Sequence, residues 1–189
     1  MNNNQEPDFE RLLATMKKAG GALNEAGVPF VLGGGLACWA RGAPKTEHDV
    51  DFLVKPPDAE RAQETLARAG MRTETPPEGW LLKAYDDGIL IDLIFDAQDG
   101  PIDDGTFERA EDLEVHAMRM KVAALEDVLV QKLLAIREQE PDFSTVLELA
   151  RAARAGRLGR SARTDTRVAI REGLLHPAGR ARDRSGLET

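Results

Sequence analysis

A chain of 189 residues with 42% hydrophobic and 31% charged residues has enough apolar material for one domain with a core and room for a small helical appendage, and too little length for two full domains. Its net charge of −8 is unevenly spread: beyond residue 150 ten Arg face four acidic residues, leaving residues 1–150 at −14, and such an acidic body excludes broad electrostatic capture of nucleic acid anywhere but the tail. No apolar run approaches the roughly 20 residues that cross a bilayer. The opening MNNNQEPDF lacks a signal peptide's basic start and apolar centre, and the single Cys38 lies in the apolar stretch LACWA as a buried reduced thiol, so a cytoplasmic protein without a membrane partner is expected.

In chain order, residues 8–26 place Phe9, Leu12, Leu13, Met16, Ala19 and Leu23 at helical spacing, with Gly27 as a stop. PFVL then reads as a short buried strand, GGG as a turn, and LACWARG as a short helix ended by Gly42. DVDFLV is a second strand closed by Pro56 and Pro57, and DAERAQETLARAG a helix capped by Gly70. Asp86-Asp87-Gly88 between two apolar runs predicts a hairpin with strands at about 80–85 and 89–95. After a loop rich in Asp and Gly, LEVHAMRMKVAA suggests short extended pieces, and LEDVLVQKLLAIREQ and DFSTVLELARAAR suggest helices. Beyond Gly156 the chain has few large apolar residues and much Arg and Gly, the composition of a poorly packed or disordered tail. The expected fold is α/β (α+β), a mixed β-sheet flanked by helices, with a core over residues 1–120, a helical region over 121–156 and an Arg/Gly-rich tail over 157–189.

Three carboxylates stand out. Side chains alternate across a strand, so Asp49 and Asp51 project from one face while Val50, Phe52 and Val54 project from the other. On the later strand ILIDLIF, Asp92 shares its face with Leu90 and Ile94, where a lone charge would cost several kcal/mol to desolvate unless a cation sits beside it. A divalent metal shared by Asp49, Asp51 and Asp92 meets that need, and carboxylate oxygens favour Mg²⁺ or Mn²⁺ with substrate phosphates completing the shell. Two such ions about 3.5–4 Å apart can stabilise both oxygens of a phosphoryl displacement. Gly33, Gly34 and Gly35, between a strand and a helix, offer bare backbone N–H groups to a triphosphate.

In this order, a glycine turn, a D-x-D pair and a later single Asp on a strand, the residues resemble the DNA polymerase β-like nucleotidyltransferase superfamily. Within it, FVLGGGLACWARGAPKTEHDVDFLV, ILIDLIF and VLVQKLLAIREQEPDF, spanning about residues 28–150, look most like the AbiEii-like toxin nucleotidyltransferases of bacterial toxin–antitoxin and phage-defence systems. The resemblance implies a nucleotidyltransferase-type fold, NTP as substrate, the 3′ end of tRNA as acceptor and a cognate antitoxin as partner. It also implies a Lys, Arg and Asp series, here Lys132, Arg137 and Asp142, with Lys132 on the triphosphate. From the residues themselves, Lys132 lies beside the apolar stripe Leu125, Val128, Leu129, Leu133 and Ile136 and could equally snorkel there, and Asp142 could cap the last helix.

Lys45 and Thr46 stand just before the acidic pair, where they could touch phosphates, whereas relatives often carry Arg and a differently placed Thr. His48 falls on the opposite strand face from Asp49 and reads as structural. Trp39, Trp80 and Tyr85 could stack on a base but are more simply core residues. Two other functions share the motif: nucleotidyl transfer to a small molecule such as an aminoglycoside, whose positive charge suits an acidic surface, and metal and nucleotide binding without turnover.

Overall fold

The computed structural model describes residues 9–46, 49–97 and 100–135, together with Leu147, Ala150 and Arg151. Its first element, α1 (Phe9–Glu25), buries Phe9, Leu12, Leu13, Met16, Ala19 and Leu23, the stripe that the spacing predicts. It is followed by β1 (Val31–Leu32), α2 (Gly34–Ala40) and β2 (Asp49–Leu53). Pro56 and Pro57 end β2 in a 3-10 turn that leads into α3 (Ala59–Arg68). Next come β3 (Arg72–Glu74), β4 (Leu81–Asp86), β5 (Ile89–Ile94), the two-residue strands β6 (Asp96–Ala97) and β7 (Gly100–Pro101), and α4 (Asp104–Arg109). The hairpin β8 (Glu111–Val115) and β9 (Met118–Val122) precedes α5 (Leu125–Ala135).

Seven strands form one mixed sheet in the order β3-β4-β5-β2-β1-β9-β8, and β6 pairs with β7 separately. β2 runs parallel to β5 and β1 parallel to β9, while the other pairs are antiparallel. The mixed sheet flanked by helices is the expected class, and the sheet extends through Val122. One face carries Val50, Phe52, Leu82, Ala84, Ile91 and Leu93, all buried, and α1 and α3 pack on it. At roughly 25 cal/mol per Å² of apolar surface removed from water, this layer is the principal source of stability.

The turn of the β4–β5 hairpin is the one that Asp-Gly predicts: Asp87 (φ 48°) and Gly88 (φ 83°) are both left-handed, which matches the twist of the flanking strands. Asp86 and Asp87 then tie the hairpin to α1, by Lys18–Asp86 (2.5 Å) and Arg11–Asp87 (2.9 Å) ion pairs.

Four features depart from the sequence reading. β3 is three polar residues long and gives no apolar alternation to detect. The Asp- and Gly-rich loop contains the β6–β7 pair and α4, whose N-cap Asp103 accepts a 3.0 Å bond from the Thr106 amide. The extended pieces are a true hairpin turned by His116 and Ala117, both at positive φ, with no Gly or Asn to signal it. Trp80 is not a core residue; it is 42% exposed at the start of β4. The helix expected over DFSTVLELARAAR and the tail over 157–189 lie essentially outside the described residues.

Arg41, at the end of α2, is a buried cation that fastens the β8–β9 hairpin to the body. Its Nε donates to the Ala123 carbonyl at 3.0 Å and its Nη1 to Glu111 at 3.2 Å. Arg41→Met strands a carbonyl and a part-buried carboxylate, so a loss of about 2–3 kcal/mol is expected by denaturant titration. A change within 0.5 kcal/mol, taken as roughly the noise of a surface substitution, would contradict this role.

Candidate metal and nucleotide site

Asp49, Asp51 and Asp92 come together because of one pairing register. β2 and β5 lie side by side in parallel, with Asp51 opposite Asp92 and Asp49 opposite Leu90. Paired residues point to the same side, so all three acids emerge on the face away from α1 and α3. One oxygen from each lies within 4.8 Å of the others, and all three residues are half-buried.

The glycine turn abuts this cluster. The Gly33 amide donates to the Asp51 carbonyl at 2.9 Å, which ends β1 beside the acidic pair. Gly34 has φ +52°, and a Cβ there would lie 1.6 Å from Asp51 Oδ2. Any side chain would therefore displace the carboxylate as well as strain the backbone. A Cβ on Gly35 would lie 2.5 Å from Thr46 Oγ1, so Thr46 is brought to the same turn.

Burial pushes the Asp92 carboxyl up to about 6; the Asp49 charge adds to this, and Lys83 opposes it. Its Oδ1 is buried and, among the described residues, has no hydrogen-bond partner. An orphaned carboxylate oxygen beside two further acids is a donor set that fits a hard divalent cation. Asp49, Asp51 and Asp92 would hold the ion, and oxygen-only ligation suits Mg²⁺ or Mn²⁺.

The other expected residues divide into groups. Lys45 is exposed, with Nζ 4.9 Å above the Phe9 ring. Lys132 is on α5, whose neighbour in the fold is α2, and nothing further of it is described. His48, Arg137 and Asp142 lie outside the described residues. Trp39 is half-buried with its ring edge-on to Phe9 at 5.0 Å, and Tyr85 lies half-buried beneath Arg72.

Lys83, which the sequence reading passed over, stands directly opposite Asp92 across the β4–β5 pair. The signal was present: a two-residue Asp87-Gly88 turn pairs residue 86 with 89, and counting back from it pairs 83 with 92.

The raised Asp92 pKa has a consequence for stability without metal. A carboxyl raised in the folded state favours folding less as pH climbs from its unfolded value near 3.8 through about 6. Asp92→Asn should therefore stabilise the metal-free protein above pH 6 by about 1 kcal/mol, allowing for solvent screening, and the gain should vanish below pH 4, roughly the unfolded value. Thermal melts across that range check this. A variant that is less stable than the parent at pH 7 would make Asp92 a structural acid instead.

No curated protein matches the chain by sequence. Among solved structures, ANT(2")-Ia, in complex with adenylyl-2"-tobramycin, superposes with a TM-score of 0.64 at 13% identity, over 86% of this chain and 96% of its own. The lincosamide antibiotic adenylyltransferase LnuA, lincomycin-bound, gives a TM-score of 0.53 at 14% identity, over 75% and 96%. The Megavirus polyadenylate synthase also gives 0.53, at 13% identity, over 85% of this chain and 35% of its own. At these identities the likeness is one of fold. The family model described as "Nucleotidyl transferase of unknown function (DUF2204)" matches residues 12–171, and the chain belongs to that nucleotidyltransferase family.

Proposed function

We propose that the protein transfers a nucleoside monophosphate from an NTP to an acceptor hydroxyl, and that the acceptor is the 3′ end of tRNA. The observation that carries the transfer is the convergence of three carboxylate oxygens within 4.8 Å, against a turn where a Cβ cannot fit. Bound divalent ions would supply charge neutralisation and orientation for displacement at the α-phosphate. Asp49 and Asp51 hold the nucleotide side of the site, and the Gly33-Gly34-Gly35 turn, with Thr46, lets phosphate oxygens approach the backbone. Asp92, on β5 opposite Asp51, is placed to accept the acceptor's proton. The acceptor oxygen forms a bond to the α-phosphorus, the bond from that phosphorus to the β-bridging oxygen breaks, and pyrophosphate leaves with its electron pair. Lys45, Lys132, Arg137 and Asp142 are proposed to help bind the nucleotide, with Lys132 on the triphosphate.

The tRNA acceptor and a cognate antitoxin partner rest on the AbiEii-like segments, together with the ten arginines beyond residue 150, which can offset repulsion by the acidic body. The proposed compartment is the cytoplasm; among the described residues no helix is long and apolar enough to cross a membrane. A second reading, a cationic small molecule as acceptor, is favoured by the superposition on nearly the whole of ANT(2")-Ia and by the −14 charge of residues 1–150.

Incubation with each labelled NTP, Mg²⁺ or Mn²⁺, and either total tRNA or aminoglycosides separates these readings. Label on tRNA, abolished in Asp49→Asn and Asp51→Asn with the fold retained, is the expected result. Label on the aminoglycoside selects the second reading. NTP binding without transfer to either would leave a nucleotide-binding protein, and near-parental turnover in the two variants would remove the metal assignment.

A further inference from the structure

The order of groups across the sheet separates the two ends of the reaction. From β1 outward the row reads Gly33, Asp51, Asp92, Lys83 and Glu74, each set beside the next by strand pairing. The glycine turn lies at one end of the three acids and Lys83 at the other. In an in-line displacement the leaving pyrophosphate and the attacking hydroxyl lie on opposite sides of the α-phosphorus. With the triphosphate at the glycine turn, the acceptor must come from the Lys83 side.

Lys83 is half-buried there, and among the described residues its ammonium makes no hydrogen bond or ion pair. Its natural partner would be Glu74, directly opposite on β3. That carboxylate is instead taken by Arg72 at 3.4 Å and by the Tyr85 hydroxyl at 3.3 Å, while the Arg72 guanidinium lies 3.8 Å from the Tyr85 ring centre. Glu74 is engaged there through Oε2 alone, and the charge that Lys83 meets is that of Asp92, whose pKa it lowers. A half-buried ammonium is costly to leave unsatisfied, and a phosphate oxygen is the ligand that suits its compact charge. A polycation arriving from this side would meet like charge.

We infer that Lys83 is the acceptor-side anchor of the site, binding a phosphate carried by the acceptor next to its attacking hydroxyl. This deepens the nucleotidyl-transfer reading and rests on it. The shared chemistry is a hydroxyl beside a phosphate, whether a phosphodiester at a polynucleotide end or the monoester of a phosphorylated small molecule.

The test uses the full chain, Mn²⁺, a nonhydrolysable ATP analogue and inorganic phosphate as probe. Paramagnetic relaxation of the phosphate ³¹P signal by Mn²⁺ reports phosphate near the acids. Strong relaxation is expected in the parent, with phosphate affinity falling roughly tenfold in Lys83→Ala, the value of one charged hydrogen bond, and recovering in Lys83→Arg. The Mn²⁺–analogue complex should still saturate both variants, a result that loss of folding would not give. The dinucleotide CpA displacing phosphate better than glucose 6-phosphate supports a polynucleotide end, and the reverse order supports a phosphorylated small molecule. Phosphate relaxation that is equal in parent and Lys83→Ala, with the analogue bound, overturns the assignment of Lys83 alone. Kanamycin that binds more tightly to the parent than to Lys83→Ala overturns it too. Failure of the parent to bind the analogue overturns the nucleotidyl-transfer reading and this inference together.

Discussion

The site depends on the parallel pairing of β2 with β5. These strands are separated in the chain by α3 and the β3–β4 segment, so the Asp51–Asp92 register is set by the packing of the whole sheet. A shift of one residue would turn Asp92 into the α1/α3 core and bring Ile91 or Leu93 to the acids. The apolar neighbours of Asp92 make that shift expensive, because Ile91 and Leu93 are fully buried on the other face. The same hydrophobic layer that stabilises the fold thus holds three like charges together, and the cost of doing so is visible in the raised Asp92 pKa and its unpartnered oxygen.

Part of this was legible in the sequence because its signals are local. Alternation alone places Asp49 and Asp51 on one face, Asp87-Gly88 fixes a turn, and helical spacing identifies the buried stripe of α1. That Asp92 meets the pair is a long-range fact, and the motif order suggested it where periodicity could not. The close approach of Gly34 to the Asp51 carboxylate is a tertiary contact with no local trace beyond the glycine itself. β3 and α4 were missed for lack of length and apolar pattern, and the His116-Ala117 turn because its residues do not favour left-handed backbone. Lys83 was recoverable by counting from a turn already identified, yet a lone Lys in a strand draws no notice until its cross-strand partner is seen to belong to the acidic cluster.

Charge distribution ties the acceptor question to the same geometry. Residues 1–150 are strongly acidic, which would draw a cationic small molecule towards the protein at long range, whereas Lys83, opposite Asp92, would act at contact distance. Long-range fields are screened within about 8–10 Å at ordinary salt, and a half-buried ammonium is screened much less. On the proposed reading the contact term would weigh more in deciding which acceptor is aligned, and the ten arginines beyond residue 150 would supply the long-range attraction that a polynucleotide needs.

The central claim is that Asp49, Asp51 and Asp92 form one divalent-cation site. Calorimetric titration of Mn²⁺ into the parent protein and into Asp51→Asn, both shown by circular dichroism to be folded, tests it without reference to nucleotide or acceptor. The account predicts saturable binding in the parent that is lost or weakened by roughly two orders of magnitude or more in the variant, since a removed carboxylate takes both a charge and a ligand from the ion. Equal Mn²⁺ affinity in the two proteins would contradict it.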